Sequence, residues 1–142
     1  MKLSFTFFLA LAALASSGRS IAQTGHDGDW WRGLSLTTRQ NVVTGFLDGM
    51  ALGHNLTLMG AGNSSDTDCR TNIAQSYSYV RNRYFRNVTV GDLVSALDQL
   101  YSESDNGSII IGRAVWIAVN RLVGTNPDEI QKLILQSRGV GY

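Results

Sequence analysis

Residues of the types that perform chemistry are few in this chain, and most stand apart from one another. His26, Asp27 and Asp29 are the one tight set of metal-ligand types; His54 and Cys69 are isolated in sequence. A zinc site needs three or four converging ligands, usually Cys or His at close spacing, so no metal and no cofactor is expected. The stretch Ser102 to Arg113 has the outline of a calcium loop, with Gly107 sixth and Ile109 eighth, but Arg113 stands where the bidentate glutamate belongs. A cation at that position excludes the match. There is no Gly-x-Ser-x-Gly elbow, no histidine near Cys69 and no phosphate-cradling glycine loop after a strand. Asp98, Glu103 and Asp105 remain. If they shared a cleft, paired acids there would do acid–base work; as solvated surface acids they do none. The chain therefore reads as a non-enzyme, with no catalytic residue expected.

The run Arg81-Asn82-Arg83-Tyr84-Phe85-Arg86 mixes guanidinium groups with aromatic rings. Tyr79, Arg83 and Arg86 recur at helical spacing and so share a face. Tyrosine and arginine are enriched where proteins grip one another, so this face is the expected partner-binding surface, and the partner another protein. RNA is the alternative for such a run, but the charge balance and the export signal described next exclude nucleic acid.

The chain opens Met1-Lys2, followed by an apolar stretch from Leu3 to Ala15, a polar stretch, and Ser20-Ile21-Ala22 with small residues at −3 and −1. This is the layout of a cleavable signal peptide cut after Ala22, with an apolar core too short to span a bilayer. Lys2 and Arg19 leave with it while all eleven acids stay, so the formal charge moves from +1 to −1. An exported chain, periplasmic or secreted, is expected, with no stable membrane insertion after cleavage. The mature length suits a single domain with its own core. Cys69 is the only cysteine; it is inert and buried, or it forms a mixed disulfide, or it bridges a homodimer. Asn-x-Ser/Thr sequons occur at Asn55, Asn63, Asn87 and Asn106 and would accept sugar only where exposed and in a eukaryotic host.

The elements that must position these residues are all helical. Residues 23–33 read as a flexible leader that ends where Trp30-Trp31 dock, and 34–139 as one helical domain. The first helix is capped by Ser35 and buries Val43, Phe46, Leu47, Met50 and His54. Gly45, Gly49 and Gly53 lie on a neighbouring stripe; each costs about 1 kcal/mol against alanine, which predicts close approach by another helix. Gly60 to Thr71 reads as a mobile loop. Ile73, Tyr77, Val80 and Tyr84 mark a second helix. Thr89 and Asp92 form a capping box with a Val88–Leu93 staple for a third, whose core face is Leu93, Leu97, Leu100 and Tyr101. The fourth begins near Ile109, is apolar around most of its circumference and stops at Gly124, so it is central. Asn126-Pro127-Asp128-Glu129 opens the last, with Ile130, Leu133, Ile134 and Ser137 inward and Gly139 as its end. The fold class is all-α, a compact bundle of four to five helices.

Three stretches together resemble a known class. Trp31-x-x-Leu34-Ser35 leads to Val43-x-Gly45-Phe46-x-Asp48-Gly49. Val88-Thr89-Val90-Gly91-Asp92 comes with Leu97-Asp98-x-x-Tyr101. Asn106-x-x-Ile109, Ala114 and Gly124 complete the order. The pattern is similar to that of small exported bacterial helical domains, among them the Rap1a/Tai-type immunity proteins. That resemblance implies a periplasmic protein that binds and blocks a cell-wall amidase toxin delivered by a type VI secretion system. These proteins carry cysteine pairs, whereas this chain has only Cys69. The matched positions are caps, glycines and core residues, so no toxin-contacting residue transfers. The expected function is that of an exported non-enzymatic binding protein of the inhibitor or immunity kind. The alternative is a structural or self-associating envelope protein, for which the glycine stripe and Cys69 would serve a homodimer.

Overall fold

The computed structural model describes residues 26–62 and 67–138. The expected signal peptide at 1–22, the first residues of the leader, the Asn63 sequon and Gly139 lie outside the described residues. Within them the chain is all-α: α1 (Gly28–Arg32), α2 (Leu36–Gly62), α3 (Thr67–Val80), a π-helical turn (Arg81–Phe85) that continues α3, α4 (Val90–Ser102), a 3-10 turn (Ser104–Asn106), α5 (Ile111–Leu122) and α6 (Pro127–Ser137). Among the described residues there is no strand, and none of their helices is long and apolar enough to cross a membrane.

The end signals act as their chemistry requires. The Ser35 hydroxyl accepts from Thr38 N at 3.2 Å. The Thr89 hydroxyl accepts from Asp92 N, and the Asp92 carboxylate accepts in return from Thr89 N at 2.9 Å. The Asn126 side chain accepts from Asp128 N at 2.8 Å with Pro127 in the first turn. Gly124 adopts φ 76° after α5, a left-handed conformation that glycine takes without steric cost.

The core lies between α4 and α5, with α6 closing one side and the start of α2 another. The expected core face of α4 is fully buried, as are Ala114, Ala118 and Val119 on α5. Val88 packs against this core and Leu93 is buried within it, the two positions of the staple.

Four expectations are corrected. Part of the stretch read as flexible leader is helix α1, capped by Asp27. Its Trp31 is completely buried. An indole hides about 150–250 Å², worth roughly 4–6 kcal/mol gross, which offsets a large part of the cost of ordering this short helix. The expected loop from Gly60 to Thr71 shrinks, because α2 runs on to Gly62 and α3 starts at Thr67. Extending an existing helix adds one hydrogen bond per residue fixed, so helices overrun composition that would not nucleate them. The glycine stripe meets nothing: a Cβ on Gly45, Gly49 or Gly53 would find no atom within 4 Å. Last, Cys69 is exposed, which removes its reading as an inert buried thiol.

Because α2 has 27 residues, it is about 40 Å long at 1.5 Å per residue. Val43, near its start, is its only fully buried residue among those described. Its far half pairs with α3 as a two-helix arm reaching beyond the core.

Candidate functional site

The three carboxylates considered for a catalytic cluster each have partners within the fold. Asp98 accepts from Trp31 Nε1 at 2.7 Å and from Arg39 Nη1 at 2.9 Å. Arg39 also donates to the carbonyls of Trp31 and Arg32 and lies 5.7 Å from the Trp31 ring centroid. Glu103 accepts from Asn106 Nδ2 at 3.1 Å. Asp105 faces Arg138 at 3.8 Å, and Arg138 donates twice to Asn106 Oδ1. Asn106 is itself fully buried and donates to the Leu100 carbonyl, so its sequon is closed to sugar in the folded chain; Asn55 and Asn87 are exposed. Glu103 and Asp105 are thus linked through Asn106 and Arg138, while Asp98 belongs to a separate cluster.

A third knot completes this region. Arg32 donates to the Tyr101 carbonyl at 2.7 Å and pairs with Asp29. The Tyr101 hydroxyl donates to the Ile109 carbonyl at 2.8 Å. Burial, first, and the nearby Asp27 carboxylate, second, push that hydroxyl well above its ordinary pKa. Gly28 N donates to Gly107 O, and Ile111 N to His26 O. The Trp31–Asp98–Arg39 cluster, the Arg32–Tyr101–Ile109 links and the Asn106–Arg138 cluster lie along the same end of the fold. The first two, with the Gly28–Gly107 and His26–Ile111 bonds, fasten the N-terminal segment to α4 and α5.

The metal-ligand types near the N-terminus are spent similarly. Asp27 caps α1, Asp29 pairs with Arg32, and the His26 ring sits edge-on to Trp30 at 4.3 Å. Among the described residues no group of three or more His, Cys, Asp or Glu is placed to hold a metal ion.

Two clefts lie away from the arginine run. One, of 300 Å³, is apolar and bounded by Trp30, Phe46, Ile111 and Val115. The other, of 620 Å³, runs between α2 and α3 and is shallow; His54 stacks flat on Tyr77 there with centroids 3.8 Å apart, and Cys69 stands at its rim.

The structure divides the expected partner face. Arg83 and Arg86 line a common cleft of 270 Å³ together with Asn82, Asn87 and the end of α5 at Leu122 and Val123. Tyr79 is exposed but does not line it. The reason is the π-helical turn, which is wider than an α-helical one and breaks the spacing that carried Tyr79 onto the same line. The turn lets both Tyr84 and Phe85 reach the core, with Tyr84 packing on Trp116 at 4.8 Å between centroids. Sequence spacing had no means of supplying the second wall, because Leu122 and Val123 come from a helix far along the chain.

The charge of this stretch of sequence is one-sided. From Cys69 to Gly91 the chain has four arginines and no acid. The ion pairs among the described residues are Arg32–Asp29, Arg39–Asp98 and Arg138–Asp105; Arg70, Arg81, Arg83 and Arg86 enter none of them. Arg83 instead lies over the Tyr84 ring, 5.9 Å from its centroid. The chain matches no family model, no curated protein and no solved structure.

Proposed function

We propose that this chain is an exported, non-enzymatic binding protein of the inhibitor or immunity kind, and that it engages another protein through the basic side of its α3–π-turn segment. The observation that carries this reading is that Arg83 and Arg86 line one cleft and enter no ion pair among the described residues. Surface arginines with exposed aromatic and apolar groups are the composition of interface anchors, and Tyr79, earlier on the same segment and outside the cleft, is 64% exposed. The sequence resemblance to immunity proteins supports the same class and names a cell-wall amidase as the first partner to try.

The test is retention of a partner by the mature chain from an envelope extract, followed by a titration with the purified partner. A saturable complex supports the reading, and inhibition of a retained amidase supports the immunity form of it. An extract from which nothing is retained specifically overturns it.

A second reading, self-association, is favoured by one observation. Gly45, Gly49 and Gly53 are open to solvent, and Leu52, Leu56 and Met59 on the same side of α2 are 58%, 57% and 70% exposed. A glycine groove beside an apolar ridge is a surface onto which a second helix packs closely. Light scattering decides it: a monomer at micromolar concentration ends this reading.

A further inference from the structure

We infer that the cleft between the π-helical turn and the end of α5 is a carboxylate-acceptor site, the pocket into which one acidic side chain of the protein partner docks. The inference rests on the binding-protein reading above and names the chemistry of its central contact.

Three features of the cleft point to a carboxylate. The first is charge. Arg83 and Arg86 line the same small space, and neither has a carboxylate partner among the described residues, whereas Arg32, Arg39 and Arg138 each have one. Two like charges that line one small cleft repel, and an anion placed between them relieves the repulsion. The second is donor supply. Asn82 and Asn87 also line the cleft and add side-chain amide donors to the arginine guanidinium groups, the donor types that satisfy the oxygens of a carboxylate. The third is the wall. Val88, Leu122 and Val123 are apolar and form one side of the cleft, and charge-assisted bonds strengthen where a docking partner displaces solvent against such a side.

The size selects a side chain over a cofactor. At 270 Å³ the cleft falls just below the roughly 300–1,000 Å³ of pockets that enclose small-molecule ligands. A long polyanion is disfavoured by the formal charge of −1 that the chain carries once residues 1–22 are removed. Exposed Tyr79 nearby adds the aromatic contact usual at protein interfaces.

The experiment uses the chain without residues 1–22 and a short acetylated, amidated peptide of alternating glycine and glutamate. The same peptide with glutamine in place of glutamate is the control. Binding is followed by the NMR signals of the arginine Nε–H groups and the asparagine side-chain amides. Saturable shifts at Arg83, Arg86 and Asn87 are expected for the glutamate peptide and none for the glutamine peptide. Arg83→Gln and Arg86→Gln should each weaken binding about tenfold, the size of one charge-assisted hydrogen bond. Arg81→Gln removes the same charge outside the cleft and should change affinity less than about twofold. Unchanged thermal melting of all three variants shows that the fold is intact.

Equal loss on Arg81→Gln overturns the site in favour of diffuse attraction, as does a failure of the shifts to saturate. Inorganic phosphate that binds the same signals more tightly than the peptide overturns the carboxylate assignment. Peptide binding without any partner in the envelope extract leaves the cleft standing and removes the binding-protein reading. A partner held equally well by the Arg83→Gln/Arg86→Gln double variant removes the cleft and leaves that reading.

Discussion

The indole Nε1 of Trp31 donates a 2.7 Å hydrogen bond to a carboxylate oxygen of Asp98, joining positions 67 residues apart. The same oxygen accepts from Arg39, so a single carboxylate ties α1 and the first turns of α2 to α4. Two candidate readings of Asp98, general acid and structural anchor, separate on this contact. Asp98→Ala leaves a buried indole N–H and a half-buried guanidinium without their acceptor, at a cost of about 1–3 kcal/mol. Asp98→Asn keeps an acceptor and should cost less. Urea titrations of the three proteins, followed by tryptophan fluorescence, give the order; an alanine variant as stable as the parent would contradict the anchoring role.

Glycines at two sites should respond in opposite directions. A Cβ on Gly28 would lie 2.5 Å from Tyr101 Cδ1 and 3.0 Å from Gly107 Cα, so Gly28→Ala is expected to lose about 1–3 kcal/mol through overpacking. Gly49 has open space around its would-be Cβ, and Gly49→Ala should gain up to about 1 kcal/mol from helix propensity. If α2 self-associates through its glycine side, Gly49→Ala also weakens that association, and light scattering then moves opposite to the monomer's melting temperature.

Stability should depend on pH at both extremes. Asp92 accepts from Thr89 hydroxyl and backbone, and those bonds hold its pKa below the ordinary 3.8. A lowered carboxylate contributes stability that is complete above about pH 4 and disappears as pH falls through its folded value. Tyr101 is the opposite case. Its pKa is raised above 10.0 by burial, so its contribution is complete below about pH 10 and declines as pH rises further, where the unfolded chain ionises and the folded chain does not. Denaturation across pH 9–11 should show a steeper fall for the parent than for Tyr101→Phe, and across pH 2–5 a steeper fall for the parent than for Asp92→Asn. Parallel curves in either comparison would refute the corresponding assignment.

The arm should open before the core. No α2 residue beyond Val43 is fully buried among those described, whereas α4 and α5 bury the largest share of the core. Local opening follows the density of buried contacts. Hydrogen exchange measured by mass spectrometry should therefore be faster for amides of residues 49–60 than for residues 93–101 or 114–120. Equal protection in the free chain would mean that the arm is covered, and a self-associated form becomes the explanation to pursue.

What the sequence determined by itself is local: the helix ends and the inward stripes. Ser35, the Thr89–Asp92 pair, Asn126-Pro127 and Gly124 act within a few residues, and a cap or a left-handed stop needs no knowledge of the rest of the chain. The stripes of α4 and α6 were legible for the same reason, since the 3.6-residue period is a property of one helix, whereas α5, apolar around most of its circumference in sequence, leaves Trp116 and Leu122 exposed. Tertiary structure decided everything that depends on which helices touch. It buried Trp31 and so turned expected leader into helix, gave Asp98, Glu103 and Asp105 to arginine, tryptophan and asparagine, and left the α2 glycines open. It also split Tyr79 from Arg83 and Arg86 through one widened turn and supplied their cleft with a wall from α5. These outcomes follow from contacts between residues tens of positions apart, and no periodicity within a single helix encodes which distant surface that helix will meet.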